Sequence, residues 1–213
     1  MTARRTAAAL LLRGPGGVVR VVGAASVVVA AVVAGPVGVA LLLLVLAGLV
    51  VPPTVRADPR LDAAYGIGLL AAGWSGALDL YQRISWLDIV MHLVVTGLIA
   101  AVGHLVLARA SGAVVDPTLP AARRVRVGSV GVTTALGLGL SVLWEIGEYL
   151  GNTYVDASIH VAYRDTIGDM TLGGLGSLVA GLALVRASAV SAPRPGRARA
   201  TPPQGRPPGP SGR

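Results

Sequence analysis

The chain lacks cysteine, lysine and phenylalanine, and only 13% of its 213 residues are charged. Without cysteine it forms no disulfide and offers neither a thiol nucleophile nor a thiolate metal ligand. Any chemistry must therefore come from carboxylate, imidazole, hydroxyl, phenol or guanidinium groups. Because lysine is absent, all 18 basic residues are arginines.

The shortage of charge also excludes an ordinary water-soluble domain. Hydrophobic residues make up 54% of the chain and the mean hydropathy is +0.71, so polar side chains are too few to cover a water-facing surface. We therefore predict an integral membrane protein whose partner is the lipid bilayer. A net charge of +8 is also found in nucleic-acid-binding proteins. The arginines cluster at the ends of apolar runs, however, and no such motif is present, so no nucleic-acid partner is predicted.

Six apolar runs predict an all-α, polytopic bundle of about six transmembrane helices. They cover residues 21–34, 37–51, 61–80, 88–108, 127–150 and 165–185. The second run is short for a span, so Gly35-Pro36 is either a tight hairpin between two spans or the break in a re-entrant unit, and we favour two spans. The predicted parts are a basic cytoplasmic segment, a six-span membrane domain and a disordered Pro/Arg/Gly-rich tail, at residues 1–20, 21–186 and 187–213.

The arginines predict the orientation of this bundle. If both termini are cytoplasmic, 16 of the 18 arginines lie on the cytoplasmic side and only Arg83 and Arg164 lie outside. Cytoplasmic loops of membrane proteins carry such an excess of arginine. We therefore expect a multi-pass protein of the plasma membrane with both termini in the cytoplasm.

Three pairs of ionisable residues interrupt the last three runs, within the region 79–176. The pairs are Asp88 and His92 (spacing i, i+4), Glu145 and Glu148 (i, i+3), and Asp165 and Asp169 (i, i+4). Each spacing places both side chains on one helical face. All three pairs fall at a similar depth near the outer surface, so they are predicted to share one outward-opening cavity, which Asp79 can join.

A charge near the centre of a span costs roughly 2.5 to 3.5 kcal/mol, so these groups must compensate one another. Three compensations remain open: the acids share protons, they pair with the outer arginines or His92, or they hold a divalent cation. In a site that acts on a substrate, His92 and Glu148 are the candidate acid/base pair, and Arg164 is the candidate clamp for an anionic group. The candidate cation ligands are Asp88, Glu145, Asp165 and Asp169.

Several of these residues also have structural interpretations. Asp88 fits an N-cap of the fourth helix, and Asp165 fits an N-cap or first-turn acid of the sixth. His104 is predicted to be a hydrogen-bonded packing residue. The aromatic residues near the outer boundary predict an interfacial belt: Trp86, Trp144, Tyr149, Tyr154 and Tyr163. The glycines of the last run predict close helix contact: Gly173, Gly174 and Gly176.

The three pairs and their neighbours resemble a pattern of VanZ-like membrane proteins, including the YjdF-like group. That pattern has an Asp and a His opening one span, a W-E-x-x-E segment ending the next, and an Arg or Tyr before D-x-x-x-D at a glycine-rich last span. The matching residues are Asp88 and His92; Trp144, Glu145 and Glu148; and Tyr163, Arg164, Asp165 and Asp169. The resemblance covers residues 81–181 and departs from the pattern at Gly173, where VanZ-like proteins commonly have Asn. It implies an integral membrane protein, linked in some members to glycopeptide resistance, without an established reaction.

Three functions follow as hypotheses. The first is a site in the outer leaflet that binds or processes a lipid-linked or cell-envelope substrate. The second is a proton- or cation-coupled transporter, which would need polar residues through the whole depth of the bilayer. The inner halves of the runs offer little of that kind beyond His104, Thr133 and Thr134. The third is a non-catalytic membrane scaffold.

Overall fold

The structure, a computed structural model, describes residues 11–191, with side chains through Ala187. The first ten residues of the predicted basic segment and residues 192–213 of the predicted tail lie outside the described residues. The described part is helical and contains no strand, which confirms the all-α prediction. Its helices are α1 (Gly14–Val33), α2 (Gly35–Leu49), α3 (Val51–Thr54), α4 (Pro59–Ala77), α5 (Leu80–Arg83), α6 (Ser85–Val106), a π-helical turn (Leu107–Ser111), α7 (Arg123–Tyr154) and α8 (Tyr163–Ser191).

Five of the six predicted spans form helices that are long and apolar enough to cross a membrane. They lie at Gly14–Val33, Gly35–Thr54, Ser85–Ser111, Arg123–Tyr154 and Tyr163–Ala187. The third run forms α4, which is long enough but contains Arg60, Asp62 and four glycines and is therefore less apolar. The last helix continues to Ser191, so the first five residues assigned to the tail are helical.

The helices pack as two groups of three. In the first, α1, α2 and α4 contact one another, and in the second, α6, α7 and α8 do the same. The two groups meet where α4 packs on α6. Gly68 makes this contact close, because a Cβ there would lie 3.2 Å from the side chain of Leu98. Because α4 contacts α1, α2 and α6, other helices cover part of its surface.

The turn between α1 and α2 is a tight hairpin. Gly35 has φ +65°, a left-handed conformation that glycine adopts without steric cost. Pro36 follows near the start of α2, where its missing N–H is not needed. Because both helices also qualify as membrane spans, the preference for two spans over a re-entrant unit is borne out by length and composition.

The end of the bundle that carries the 55–58 and 112–122 connections is held by two arginines, and we call it the arginine end. Arg20, expected to precede the first span, lies inside α1 and is buried. Its guanidinium donates to the carbonyls of Leu49 (2.8 Å) and Leu11 (2.9 Å) and pairs with Asp62 at 2.5 Å. Leu49 needs this donor because Pro53, four residues later, has no N–H to offer its carbonyl.

Arg109, in the π-helical turn, ties the two helix groups together at the same end. It donates to the carbonyls of Val55 (3.0 Å) and Arg56 (2.9 Å), which follow α3. It also bonds Asp116 (2.7 Å) and Thr118 (2.8 Å), which fixes the connection between α6 and α7. The opposite end holds the α1–α2 hairpin, α5 and the α7–α8 loop, and we call it the acidic end.

The closest helix contact is between α6 and α8. A Cβ on Gly97 would lie 2.7 Å from the carbonyl oxygen of Gly176, and a Cβ on Gly176 would overlap the carbonyl oxygen of Leu93. Gly173 and Gly174 likewise face Ser141 and Leu138 of α7 at contact distance. The prediction that the glycines of the last run serve helix contact is therefore confirmed.

We expect Gly176→Ala to destabilise the purified protein by about 3 kcal/mol or more, because the new methyl group meets rigid backbone. The matched control is Gly168→Ala in the same helix, where nothing lies within 4 Å of a Cβ. This control should be neutral or stabilising by up to about 1 kcal/mol, the difference in helix propensity. Thermal denaturation in detergent measures both variants, and equal melting temperatures would contradict the packing of α6 on α8.

Candidate functional site

The three predicted pairs lie on α6, α7 and α8 at the acidic end. Asp88 is in the first turn of α6, whose N-cap is Ile84, so the N-cap interpretation of Asp88 is wrong. Asp165 is in the first turn of α8, as one of its two structural interpretations expected. The two glutamates lie in the last turns of α7, which runs antiparallel to its neighbours.

Asp88, His92 and Asp169 form the centre of the site. His92 Nε2 lies 3.5 Å from Asp88 Oδ1 on its own helix and 3.8 Å from Asp169 Oδ1 on α8. One ligand atom from each residue lies within 4.8 Å of the others. The side chain of Asp169 is 8% exposed and that of His92 is 13% exposed, so the cluster is largely shielded from solvent.

The helix packing explains why these three residues meet. The i, i+4 spacing places Asp88 and His92 on one face of α6. The glycine contact between α6 and α8, at Gly97 and Gly176, holds the two backbones close together. Asp169 lies two turns before Gly176 on α8 and therefore faces His92 at the acidic end.

Glu145 and Ser141 lie beside this cluster on the inward face of α7. Glu145 is 9% exposed and Ser141 is 3% exposed. Glu145 Oε1 and Ser141 Oγ have no hydrogen-bond partner among the described residues. Buried polar atoms are nearly always satisfied in native proteins, so two such atoms one turn apart indicate a partner that the polypeptide does not supply.

Glu148 and Tyr81 complete the acidic side of the site. Glu148 is half-buried and interacts electrostatically with Glu145, His92 and Asp88. Tyr81, on α5, was not identified from the sequence. Burial raises the pKa of its phenol above the ordinary value, and the charges of Asp88, Glu148 and Asp169 raise it further. The feature of the sequence that could have identified Tyr81 is its position as a single tyrosine in the short polar segment before α6, the helix that carries Asp88.

The remaining predicted residues lie at the rim. Asp165 is half-exposed and its Oδ2 lies 3.8 Å from Nε2 of His160, in the α7–α8 loop. Arg164 is exposed, and no ion pair of the described residues includes it. Asp79 is exposed between α4 and α5 in a left-handed conformation (φ +53°), and it is not one of the three clustered ligand residues.

The cluster differs from the predicted ligand set at three residues. His92, predicted as an acid/base group, is one of the three residues whose possible ligand atoms lie within 4.8 Å of one another. Asp165, predicted as a ligand, is paired at the rim instead. Glu145 is buried beside the cluster but is not one of the three residues whose ligand atoms lie within 4.8 Å of one another.

Exposed aromatic side chains surround the acidic end, as an interfacial belt would. They are Trp86, Trp144, Tyr149, Tyr154 and Tyr163, each at least 41% exposed. Amphipathic rings of this kind sit at the level of lipid headgroups.

Residues 17–189 match the family of predicted membrane proteins called DUF2238. The chain belongs to this family. The match includes α1 to α4, which lie almost wholly outside the region resembling VanZ-like proteins. Membership in DUF2238 establishes a membrane protein family, and the likeness to VanZ-like proteins stays a resemblance carried by the site motifs. No curated protein and no solved structure matches this DUF2238 chain.

We expect Tyr81→Phe to leave the tyrosinate absorbance near pH 11 unchanged. A tyrosine in water ionises with a pKa of about 10, but burial and the charges of three nearby carboxylates raise the pKa of the Tyr81 phenol, so that it ionises after the exposed phenols. The difference in absorbance at about 295 nm between neutral and alkaline protein measures this. The control is Tyr163→Phe, which removes an 84% exposed phenol and should lower the signal. A loss of signal in Tyr81→Phe would place Tyr81 outside the cluster.

Proposed function

We propose that this protein holds a divalent cation at Asp88, His92 and Asp169 and uses it to bind and process the anionic headgroup of a lipid-linked cell-envelope substrate. The observation that carries the proposal is the convergence of the three ligand atoms within 4.8 Å, in a shielded position between two helices. Intramembrane ionisable residues mark functional sites by default, because their insertion is costly.

The donor set suits a hard or borderline divalent cation. Two carboxylate oxygens and one imidazole nitrogen are ligands for Mn²⁺, Mg²⁺ or Zn²⁺, and the absence of thiols disfavours soft metals. A bound cation would supply Lewis-acid polarisation of a phosphoryl or carbonyl oxygen. Three protein ligands would leave coordination positions for substrate and water.

The other groups of the site fit roles around such a cation. Glu148 is half-buried beside the cluster and is the candidate general base. Arg164 is exposed at the start of α8, at the acidic end, and is the candidate clamp for a phosphate or carboxylate. Arg83 lies in the last turn of α5, at the same end of the bundle, and adds a second positive charge there.

The depth of the site supports a lipid-linked substrate. The exposed aromatic side chains support a position of the acidic end at the level of the headgroups, where such rings are enriched. A substrate anchored by its tail in the bilayer therefore presents its headgroup at the cluster without leaving the membrane. The resemblance to VanZ-like proteins, some of which are linked to glycopeptide resistance, supports an envelope substrate.

The proposed orientation has the acidic end facing outward and the arginine end in the cytoplasm of a plasma-membrane protein. The 55–58 and 112–122 connections lie together, since Arg109 bonds carbonyls of the first and side chains of the second. Arg56 and Arg109, and the arginines at the start of α7 that follow the second connection, therefore fall at this end, which supports a cytoplasmic position under the positive-inside rule.

Cation binding tests the proposal directly. We expect the purified protein to bind Mn²⁺, measured by isothermal titration calorimetry and by the loss of the free-ion electron paramagnetic resonance signal. Asp169→Asn and His92→Gln should each weaken binding by about tenfold or more, because each removes one of three protein ligands. The matched control is Asp156→Asn, a carboxylate in the α7–α8 loop outside the cluster, which should bind as the wild type does. Equal Mn²⁺ affinities in the wild type and the three variants would mean that the binding is adventitious, and they would favour the scaffold hypothesis.

Single cysteines test the orientation, because the chain has none of its own. Ser158→Cys places a thiol in the α7–α8 loop, and Ser111→Cys places one at the arginine end. A membrane-impermeant maleimide should label Ser158→Cys in intact cells and Ser111→Cys only after permeabilisation. The reverse pattern would move the site to the cytoplasmic leaflet.

A further inference from the structure

The arginine end carries far more positive than negative charge. Nine arginines and three aspartates of the described residues lie there. The arginines are Arg13, Arg20, Arg56, Arg60, Arg109, Arg123, Arg124, Arg126 and Arg186, and the aspartates are Asp58, Asp62 and Asp116. Arg186 belongs to this end because α8 begins at the acidic end and runs the length of the bundle.

The three aspartates of this end already have partners. Asp62 pairs with Arg20, and Asp116 pairs with Arg109. Asp58 is the N-cap of α4, and its carboxylate accepts from the backbone N–H two residues later at 2.8 Å. Among the described residues, no ion pair or side-chain hydrogen bond includes the guanidinium group of any of the other seven arginines. Their charge is therefore not balanced by the part of the chain that the structure describes.

Three of these seven arginines lie where their own helix disfavours them. Arg123, Arg124 and Arg126 are in the first turn of α7. The N-terminus of a helix is the positive end of its dipole, so it favours acidic side chains and disfavours basic ones. The first turn of α7 has no acidic residue, and the side chain of its N-cap, Ala122, accepts no hydrogen bond. The helix therefore supplies no counter-charge for the three guanidinium groups.

Arg186 of α8 lies beside this turn of α7. The two helices are antiparallel, and a Cβ on Gly181 of α8 would lie 3.2 Å from the Cα of Val130 of α7. Arg186 follows Gly181 by five residues and Arg126 precedes Val130 by four, so both lie about 6 to 8 Å closer to the arginine end. We call the four arginines of this region the basic patch: Arg123, Arg124, Arg126 and Arg186.

The connection that precedes α7 is held in place, which fixes the position of the basic patch. His104 is fully buried on α6, and its Nε2 lies 3.1 Å from the carbonyl oxygen of Val115 in this connection. Its Nδ1 lies 2.8 Å from Oγ1 of Thr133 on α7. These bonds confirm the packing role predicted for His104. Together with the bonds of Arg109 to the same connection, they tie the start of α7 to the bundle.

The surface next to the basic patch, toward the middle of the bundle, is apolar and exposed. Val127 of α7 is 64% exposed, and Val179 and Leu182 of α8 are 63% and 38% exposed. Nothing lies within 4 Å of a Cβ position at Gly128 or Gly131 of α7, so the helix surface is open there. A soluble anion would match only the charge of this region. A phospholipid matches both parts, because it joins a charged headgroup to apolar chains.

We propose that the basic patch binds the headgroup of an anionic phospholipid, whose acyl chains lie along the exposed apolar surface of α7 and α8. Basic pockets between membrane helices bind such headgroups. The guanidinium groups donate charge-assisted hydrogen bonds to the phosphate oxygens, and the negative charge of the lipid offsets the repulsion among the arginines. The patch lies at the end opposite the cation cluster, so this interaction goes beyond the proposed function and stands without it.

Titration with defined lipids tests the inference. The full-length protein, delipidated in a neutral detergent, is titrated with palmitoyl-oleoyl phosphatidylglycerol or with zwitterionic phosphatidylcholine of the same chains, and bound lipid is counted by native mass spectrometry. We expect phosphatidylglycerol to bind more tightly, and increasing ionic strength to weaken its binding. Arg126→Gln and Arg186→Gln should each weaken it by about fivefold, the contribution of one arginine close to an anionic lipid.

The matched control is Arg60→Gln, because Arg60 is exposed at the same end but belongs to α4. It should bind phosphatidylglycerol as the wild type does, whereas a diffuse attraction would weaken binding equally in all three variants. Equal affinities of the wild type for the two lipids, or equal losses in Arg60→Gln and Arg126→Gln, would overturn the inference. Melting temperatures measured without lipid check that the variants are folded. Mn²⁺ affinity should be unchanged in Arg126→Gln, so a failure of the lipid site is distinguishable from a failure of the cation site.

Discussion

The contact between α6 and α8 is the constraint on which the rest of the site depends. Gly97 and Gly176 let two backbones approach to a distance that no side chain would permit. That approach brings Asp169 against His92 and leaves these two side chains largely shielded from water. A helix pair separated by ordinary side chains would keep these groups apart and leave each acid to be satisfied alone, at a cost that membrane insertion does not tolerate.

Much of the fold follows from the sequence, because length and hydropathy determine which segments form helices in a bilayer. The face of each helix also follows, since the spacing of Asp88 and His92 or of Asp165 and Asp169 fixes their common side. What the sequence does not determine is which faces meet and in what register. That is why Asp165 was expected among the ligands and lies at the rim, and why Tyr81, on a short helix without periodicity, was missed.

Hydropathy alone also misjudges residues that the bundle itself shields. Arg20 was expected in a cytoplasmic flank, yet it lies in α1. Its guanidinium pairs there with Asp62 and donates to the carbonyl of Leu49, which has no helical N–H partner because Pro53 follows four residues later. In the same way α4 accommodates Asp62, which pairs with Arg20, and its glycines because it contacts α1, α2 and α6 rather than lipid alone. Polarity in a span is tolerated where neighbouring helices replace the lost water.

The two ends of the bundle differ in how completely the charges within their helix packing are matched. At the arginine end, Arg20 and Arg109 each donate hydrogen bonds to two carbonyls and to one carboxylate. Such complete pairing is typical of charged groups that have a structural role. At the acidic end, His92 is the one clustered imidazole for Asp88 and Asp169, with Glu148 nearby, and Glu145 keeps a buried oxygen without a partner among the described residues. A structural role would favour replacing such a group by an apolar residue, which is often neutral or stabilising. Its presence beside an incompletely compensated cluster therefore supports the proposal that the acidic end binds a cation or another group from outside the chain.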